Sequence, residues 1–108
     1  VTAVVQAIEN REAMTLEWRA GRVTFGGNRR VLEKSGDAGL DCNAMDRLIQ
    51  LAGRDGNGNV RFVWAHCVCH CTTVGSRNSV SGDWAGYANE WIEKSFEGAT
   101  SLMSIGCG

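Results

Sequence analysis

A run of alternating cysteines and histidines constrains this chain more than any other feature: His66-Cys67-Val68-Cys69-His70-Cys71. It ends a segment rich in Val, Phe and Trp, which predicts one strand from Val60 to Cys71. Side chains alternate along a strand, so the cysteines would point to one face and the histidines to the other. One tetrahedral zinc site could not readily use both sets, and zinc ligands are usually separated by about two to four residues on a turn. We therefore expect no metal and no cofactor.

The same alternation argues against cysteine catalysis. A cysteine nucleophile needs a histidine base within reach of its sulfur, and the two histidines of the chain would lie on the opposite face. The carboxylates available for an acid–base pair are scattered and are interpreted as helix caps and solvated side chains: Asp41, Asp46, Asp83 and Glu90. We accordingly predict that the protein is not an enzyme, with a small secreted hydrolase as an alternative.

The five cysteines predict a disulfide framework. Neighbouring cysteines on one face of a strand are about 6.5 Å apart and their side chains run parallel, which disfavours pairing among themselves. The disulfide candidates are Cys67 and Cys69 on the strand, with Cys42 and Cys107 as their partners. One of the three strand cysteines is then left over as a free or intermolecular thiol, and we take Cys71 as the candidate because it is nearest the following loop. Such a thiol predicts a disulfide-linked or non-covalent dimer. Such a framework indicates an oxidising, extracellular environment.

Length and charge narrow the class of protein further. The 108 residues correspond to a single secreted domain, residues 1–108. A net charge of −1 gives no electrostatic basis for binding nucleic acid. No apolar run approaches the roughly 20 residues of a membrane span, so none is expected. The chain begins at Val1 without a methionine or a signal peptide, which indicates processing.

Hydrophobic spacing and turn residues predict the other elements. Residues 1–8 fit either a helix or a strand, and 15–25 is predicted to be a hairpin that turns at Ala20-Gly21. A first main helix begins at Asp41 and carries an apolar stripe: Met45, Leu48, Ile49 and Ala52. The remaining elements are a tight turn over 55–59, a second main helix from Asp83 to Phe96, and a closing strand from Ser101 to Cys107.

This order predicts an α+β fold in which two main helices pack on one face of an antiparallel sheet. The cysteine side of the long strand would face the helices. The other side would then present a candidate binding face: Phe62, Trp64, His66 and Val68. Residues 1–14 are an alternative cover for this face, in which case the same side chains belong to the core.

From residue 41 onward the sequence also resembles a known family. The motifs are Asp41-Cys42, Trp64-Ala65-His66-Cys67, Ser81-Gly82-Asp83, the helix end from Trp91 to Phe96, and Ser104-Ile105-Gly106-Cys107. They are similar to the secreted, cysteine-bearing effector domain of plant-pathogenic fungi that is related in fold to the smut-fungus killer toxins. The resemblance implies a split β-α-β sandwich, a bridge between a helix cysteine and a strand cysteine (Cys42 and Cys67 here), and action by binding rather than catalysis.

The resemblance and the lack of catalytic groups predict a secreted fungal effector, a virulence protein that binds a protein in a plant host. Its partner would be a host protein or a second effector, met outside the cell or after translocation into the host. An antifungal killer toxin acting on membranes is an alternative. The acidic side chains of the second helix, Glu90, Glu93 and Glu97, weigh against binding to an anionic membrane.

Overall fold

The computed structural model describes residues 1–23, 25–26 and 47–106, and in them the chain forms two helices and four strands. These are α1 (Thr2–Glu9), β1 (Thr15–Arg22), β2 (Arg47–Arg54), β3 (Val60–Cys67), α2 (Asp83–Ser95) and β4 (Thr100–Ile105). The α+β class is therefore confirmed. Within the described residues, neither helix has the length and apolar character needed to cross a membrane.

The four strands form one mixed sheet in the order β1-β2-β3-β4. β1 and β3 both pair with β2 in antiparallel fashion, whereas β3 and β4 are parallel, with Phe62 opposite Thr100 and Cys67 opposite Ile105. The predicted purely antiparallel sheet is wrong at this last pair. The long connection that contains α2 supplies the crossover that parallel neighbours require.

The predicted hairpin over 15–25 is also wrong. β1 runs without a turn through Ala20 and Gly21, which lie opposite Ile49 and Leu48 of β2. Glycine favours a turn only when no partner strand holds the backbone extended. Here all eight residues of β1 pair with β2, so the chain continues as a strand.

β2 occupies the region in which the first main helix was predicted, and that prediction is wrong. Leu48, Ile49 and Ala52 fit helical spacing, but in the sheet Ile49 lies opposite His66 and Ala52 lies opposite Val63. Both faces of β2 carry apolar residues, so their spacing does not distinguish a strand from a helix. Asp41 and Met45, the other residues of that prediction, lie outside the described residues.

The tight turn between β2 and β3 is confirmed. Asp55 Oδ1 accepts the backbone N–H groups of Asn57 and Asn59, both at 2.9 Å. Gly58 has φ 84°, a conformation that glycine adopts without strain. Hydrogen bonding by Asn59 is the largest of the causes that lower the pKa of Asp55, so the turn stabilises the charged carboxylate.

One face of the sheet, which we call the helix face, holds the core of the described residues. Val63, Ala65 and Cys67 of β3 are 1%, 4% and 0% exposed. α2 packs on this face over β4. The Ser101 hydroxyl donates to Asn89 Oδ1 at 2.8 Å, and the Ser101 N–H donates to Glu93 Oε1 at 3.0 Å.

α1 does not share in this packing, since every one of its residues is exposed. The expected pair of helices on one face is therefore wrong, because β2 occupies the place of the first predicted helix and α2 is the one helix among the described residues that covers the sheet. Residues 1–14 cover little of the opposite face either. Met14 reaches it, with its sulfur 2.8 Å from the position that a Cβ on Gly53 would occupy.

The opposite face, which we call the open face, is apolar, and the described residues leave much of it uncovered. The strand registers place these side chains on it: Leu16 and Trp18 of β1, Ile49 and Leu51 of β2, Phe62, Trp64 and His66 of β3, and Leu102 and Ser104 of β4. Trp18 is 73% exposed, Leu16 62% and Leu102 54%. Three of the four residues predicted for a binding face lie here, whereas Val68 lies beyond the end of β3.

Candidate functional site

The candidate site lies at the sheet edge where the parallel strands β3 and β4 end together. Cys67 and Ile105 are paired at this edge, and the loop that leads to α2 starts there. In sheets with parallel strands, ligands commonly bind outside the carboxyl ends of those strands. Two groups of polar side chains, which we together call the carboxyl-end cluster, belong to this end of the sheet and to the loop that follows β3: Trp64, His66 and Ser104 on the strands, and His70 and Asp83 after β3.

Ser104 connects β3 to β4 through two side-chain hydrogen bonds. The indole N–H of Trp64 donates to Ser104 Oγ at 3.0 Å, and His66 Nδ1 lies 2.9 Å from the same oxygen. Ser104 Oγ accepts from Trp64, and its remaining lone pair and its proton allow a hydrogen bond with His66 Nδ1 in either direction. Sequence reasoning missed Ser104, because its position beside His66 depends on the β3–β4 register.

Gly106 closes this edge against His66. Its N–H donates to the Cys67 carbonyl at 3.1 Å. A Cβ on Gly106 would lie 2.9 Å from both His66 Nε2 and Val68 Cγ2, closer than such atoms normally approach. His66 is therefore fixed by Ser104 on one side and packed against Gly106 on the other.

The three clustered cysteines occupy different environments. β3 ends at Cys67, so the strand alternation predicted as far as Cys71 applies only to Cys67. Cys67 is buried, Cys69 and Cys71 are half-buried, and none of the three is bridged to another described cysteine. Cys42 and Cys107 lie outside the described residues, so the predicted bridges to them stay a prediction.

The thiols of Cys67 and Cys69 are poor nucleophiles in this environment. Burial is the main cause that raises the pKa of Cys67, and the charge of Cys69 adds to it. Burial also raises the pKa of Cys69, with smaller contributions from Cys71 and Asp83. The thiolate form, which attacks and binds metals, is disfavoured at both positions.

Asp83 organises the loop between β3 and α2. Its carboxylate accepts the backbone N–H groups of Val74 at 3.0 Å, Thr73 at 3.2 Å and Trp84 at 2.6 Å. The bond from Val74 is the largest cause that lowers the pKa of Asp83, so the carboxylate is stabilised in its charged form. The sequence predicted that Asp83 caps the helix, but Gly82 is the N-cap and has no side-chain cap bond. Asp83 is the first helical residue, and its carboxylate holds the loop instead.

The backbone of Asp83 has φ 54°, in the left-handed region that residues other than glycine rarely adopt. Its own N–H donates to Ser81 Oγ at 3.0 Å. The contacts of the carboxylate and of the N–H hold this strained conformation in place.

Trp84, the next residue, fixes the part of the loop that carries the second histidine. Its indole N–H donates to the His70 carbonyl at 3.0 Å, and its ring lies 5.4 Å from that of Phe25. His70 itself is exposed. The cluster thus holds one fixed histidine, His66, and one solvent-facing histidine on an anchored loop.

The described part of the chain contains no group of three or more His, Cys, Asp or Glu side chains that could hold a metal ion. The carboxylates that the sequence offered for acid–base work have other partners or lie elsewhere. The Asp83 carboxylate is bound by backbone N–H groups of the loop, and Glu90 Oε2 lies 3.4 Å from Lys94 Nζ in an exposed ion pair. Asp41 and Asp46 are outside the described residues.

No protein-family model matches the chain, and no curated protein matches it in sequence. Two solved structures share its fold. One is a ceramidase complexed with C2, with a TM-score of 0.70 and 18% identity over 87% of this chain and 16% of that chain. The other is the neutral ceramidase from Pseudomonas aeruginosa, with a TM-score of 0.70 and 19% identity over 96% of this chain and 18% of that chain. The chain therefore spans less than a fifth of the structures it matches, and the likeness shows the fold alone.

Proposed function

We propose that this chain is part of a ceramidase-like hydrolase, which would cleave the amide bond of a ceramide. The observation that carries the proposal is the superposition of 96% of the chain on the neutral ceramidase, with a TM-score of 0.70. The match covers nearly the whole chain and is not restricted to one element of it. The proposal concerns a contribution to such an enzyme, because the matched part is only 18% of that chain.

The carboxyl-end cluster is the part of the chain that we assign to the active site. It lies where sheets with parallel strands usually place their ligands. It also contains both histidines of the chain, one held by Ser104 near the end of β3 and the other on the following loop, which Asp83 and Trp84 anchor. A fixed scaffold beneath an exposed functional side chain is typical of active-site loops.

His70 is the member of the cluster that we expect to act on the substrate. It is exposed, and its backbone carbonyl is held by Trp84 at 3.0 Å. An imidazole can serve as a general base toward water or as one ligand of a metal, and both roles promote amide hydrolysis. His66 is less suited to this role, because Ser104 and Gly106 occupy its surroundings. We regard His66 as a positioning residue.

The test is ceramide hydrolysis by the protein translated from the complete reading frame that contains these residues. His70→Ala should lower kcat/KM by about a hundredfold or more, as expected for loss of an acid–base group. The far-UV circular dichroism spectrum should not change. The matched control is Arg77→Ala, an exposed substitution in the same loop. If the His70→Ala variant hydrolyses ceramide at the wild-type rate, His70 does not belong to the site. If no preparation of the unaltered protein hydrolyses ceramide, the proposal is refuted.

A second candidate function is the secreted effector that binds a protein in a plant host. The exposed apolar side chains of the open face favour it, because such surfaces commonly bind proteins. The gene separates the two candidates. An effector requires a short reading frame with a secretion signal, whereas the hydrolase requires a frame several times longer than this chain.

A further inference from the structure

Ser104 and His66 form a hydrogen-bonded pair of a hydroxyl and an imidazole on neighbouring strands. Ser104 Oγ lies 2.9 Å from His66 Nδ1, and the two residues are directly opposite each other in the parallel register of β3 and β4. A serine becomes a nucleophile when a histidine base within hydrogen-bond reach removes its proton. The pair therefore has the composition and the spacing of a nucleophile and its base.

The hydroxyl of Ser104 keeps one lone pair for attack on a substrate. A hydroxyl oxygen has one proton and two lone pairs. The indole N–H of Trp64 donates to one lone pair at 3.0 Å. The proton is available to His66 Nδ1 when the imidazole carries its own proton on Nε2. Ser104 is half-buried, so the described residues do not enclose its oxygen in the core, and the second lone pair can meet a substrate atom.

The imidazole of His66 is held in the orientation that such a reaction needs. Its Nδ1 faces Ser104. Its Nε2 and Cε1 face Gly106, where an added Cβ would lie 2.9 and 3.1 Å from them. The ring of Trp64 lies beside it, with the two ring centroids 5.9 Å apart. A base that is oriented by a third group is typical of nucleophilic catalysis, and packing against Gly106 provides that orientation here.

We propose that Ser104 is a nucleophile that attacks the carbonyl carbon of esters with an apolar acyl chain. Oγ bonds to this carbon while its proton passes to His66 Nδ1, the C–O bond of the ester breaks, and the alcohol leaves with that proton. Water then hydrolyses the acyl group from Ser104 and restores the hydroxyl. Leu102, two residues earlier on the same face, is 54% exposed and offers apolar contact to the acyl chain. The reaction uses neither His70 nor a ceramide, so it is independent of the proposed function.

The test is labelling by an octyl fluorophosphonate, which forms an Oγ–P bond with a nucleophilic serine and releases fluoride. The protein translated from the complete reading frame is treated, and peptide mass spectrometry locates the label. Ser104 should react about a hundredfold faster than Ser95, an exposed serine that donates to the Trp91 carbonyl at 2.7 Å and not to a histidine. Addition of p-nitrophenyl octanoate should reduce the labelling of Ser104, because the ester competes for the same oxygen.

Variants separate the chemistry of His66 from its packing. His66→Ala should slow the labelling of Ser104 by about a hundredfold, and added imidazole should restore part of the rate, because it replaces the missing base. Thr100→Ala, at an exposed position of β4 on the same face, is the matched control and should leave the rate unchanged.

Four results would overturn the inference. The first is labelling of Ser104 no faster than that of Ser95, and the second is no protection by the ester. The third is an unchanged rate in His66→Ala. The fourth is a slowed variant that imidazole does not restore, because His66 would then act only through packing. If His66→Ala does not fold, the rates of Ser104 and Ser95 in the unaltered protein decide.

Discussion

Removing the hydroxyl of Ser104 should destabilise the sheet through two strands at once. Ser104→Ala deletes the 3.0 Å bond from Trp64 and the 2.9 Å bond to His66. A protein hydrogen bond contributes about 1 kcal/mol net, so the expected loss of unfolding free energy is about 2 kcal/mol. Trp64→Phe deletes one of the bonds and some apolar contact, which predicts a loss of about 1–2 kcal/mol.

The double variant distinguishes the shared hydrogen bond from separate packing effects. If Trp64 and Ser104 interact directly, the double variant should lose about 1 kcal/mol less than the two single losses together. Urea unfolding followed by far-UV circular dichroism measures each value without relying on tryptophan fluorescence. Ser79→Ala, at an exposed loop position, is the matched control and should change stability by less than about 0.5 kcal/mol. Strictly additive losses would show that the Ser104 contact does not stabilise the sheet.

Three further changes test other parts of the fold. Asp83 has a lowered pKa in the folded state. The stability that its charged carboxylate gives the protein is therefore fully present above the unfolded-state pKa of about 3.9, and it is lost as the pH falls through the folded-state pKa. Asp83→Asn should therefore flatten the acid side of a plot of urea midpoint against pH, while retaining the tolerance of asparagine for positive φ. Gly82→Ala should destabilise the protein, because a Cβ at Gly82 would lie 2.8 Å from the Gly86 Cα. Gly86→Ala should stabilise α2 by about 0.5–1 kcal/mol, because a Cβ at Gly86 meets nothing within 4 Å. Melting temperatures of the two variants that shifted in the same direction would contradict this prediction. Iodoacetamide should alkylate Cys69 and Cys71 before Cys67, because Cys67 is fully buried. Peptide mass spectrometry measures the order, and modification of Cys67 first would contradict the packing of the core.

Some elements of the fold follow from local sequence and others depend on pairing. The Asp55 turn and α2 were predicted correctly, because a turn aspartate and an amphipathic helix act over a few residues. β2 was not, because Leu48, Ile49 and Ala52 fit a helical stripe as well as a strand that carries apolar residues on both faces. β1 was predicted as a hairpin because Gly21 suggests a turn. Only the partner strand decides otherwise.

The candidate site was predictable only in part. The His66–Cys71 run drew attention to the correct edge of the sheet, but it suggested a continuous strand with two chemically distinct faces. The bend after Cys67 takes His70 off the strand. Ser104 can be recognised as part of the site only from the parallel pairing of β4 with β3, because this pairing brings the Ser104 hydroxyl beside His66.

The order of the strands also bears on how the chain folds. β2 and β3 are joined by a short turn, whereas β1 pairs with β2 and β3 pairs with β4 across long stretches of sequence. Contacts between distant residues form slowly because a long loop must close first. The β2–β3 hairpin is therefore the natural nucleus. Asp55→Ala in its turn should slow refolding more than it accelerates unfolding, whereas changes in β1 or β4 should act mainly on the unfolding rate.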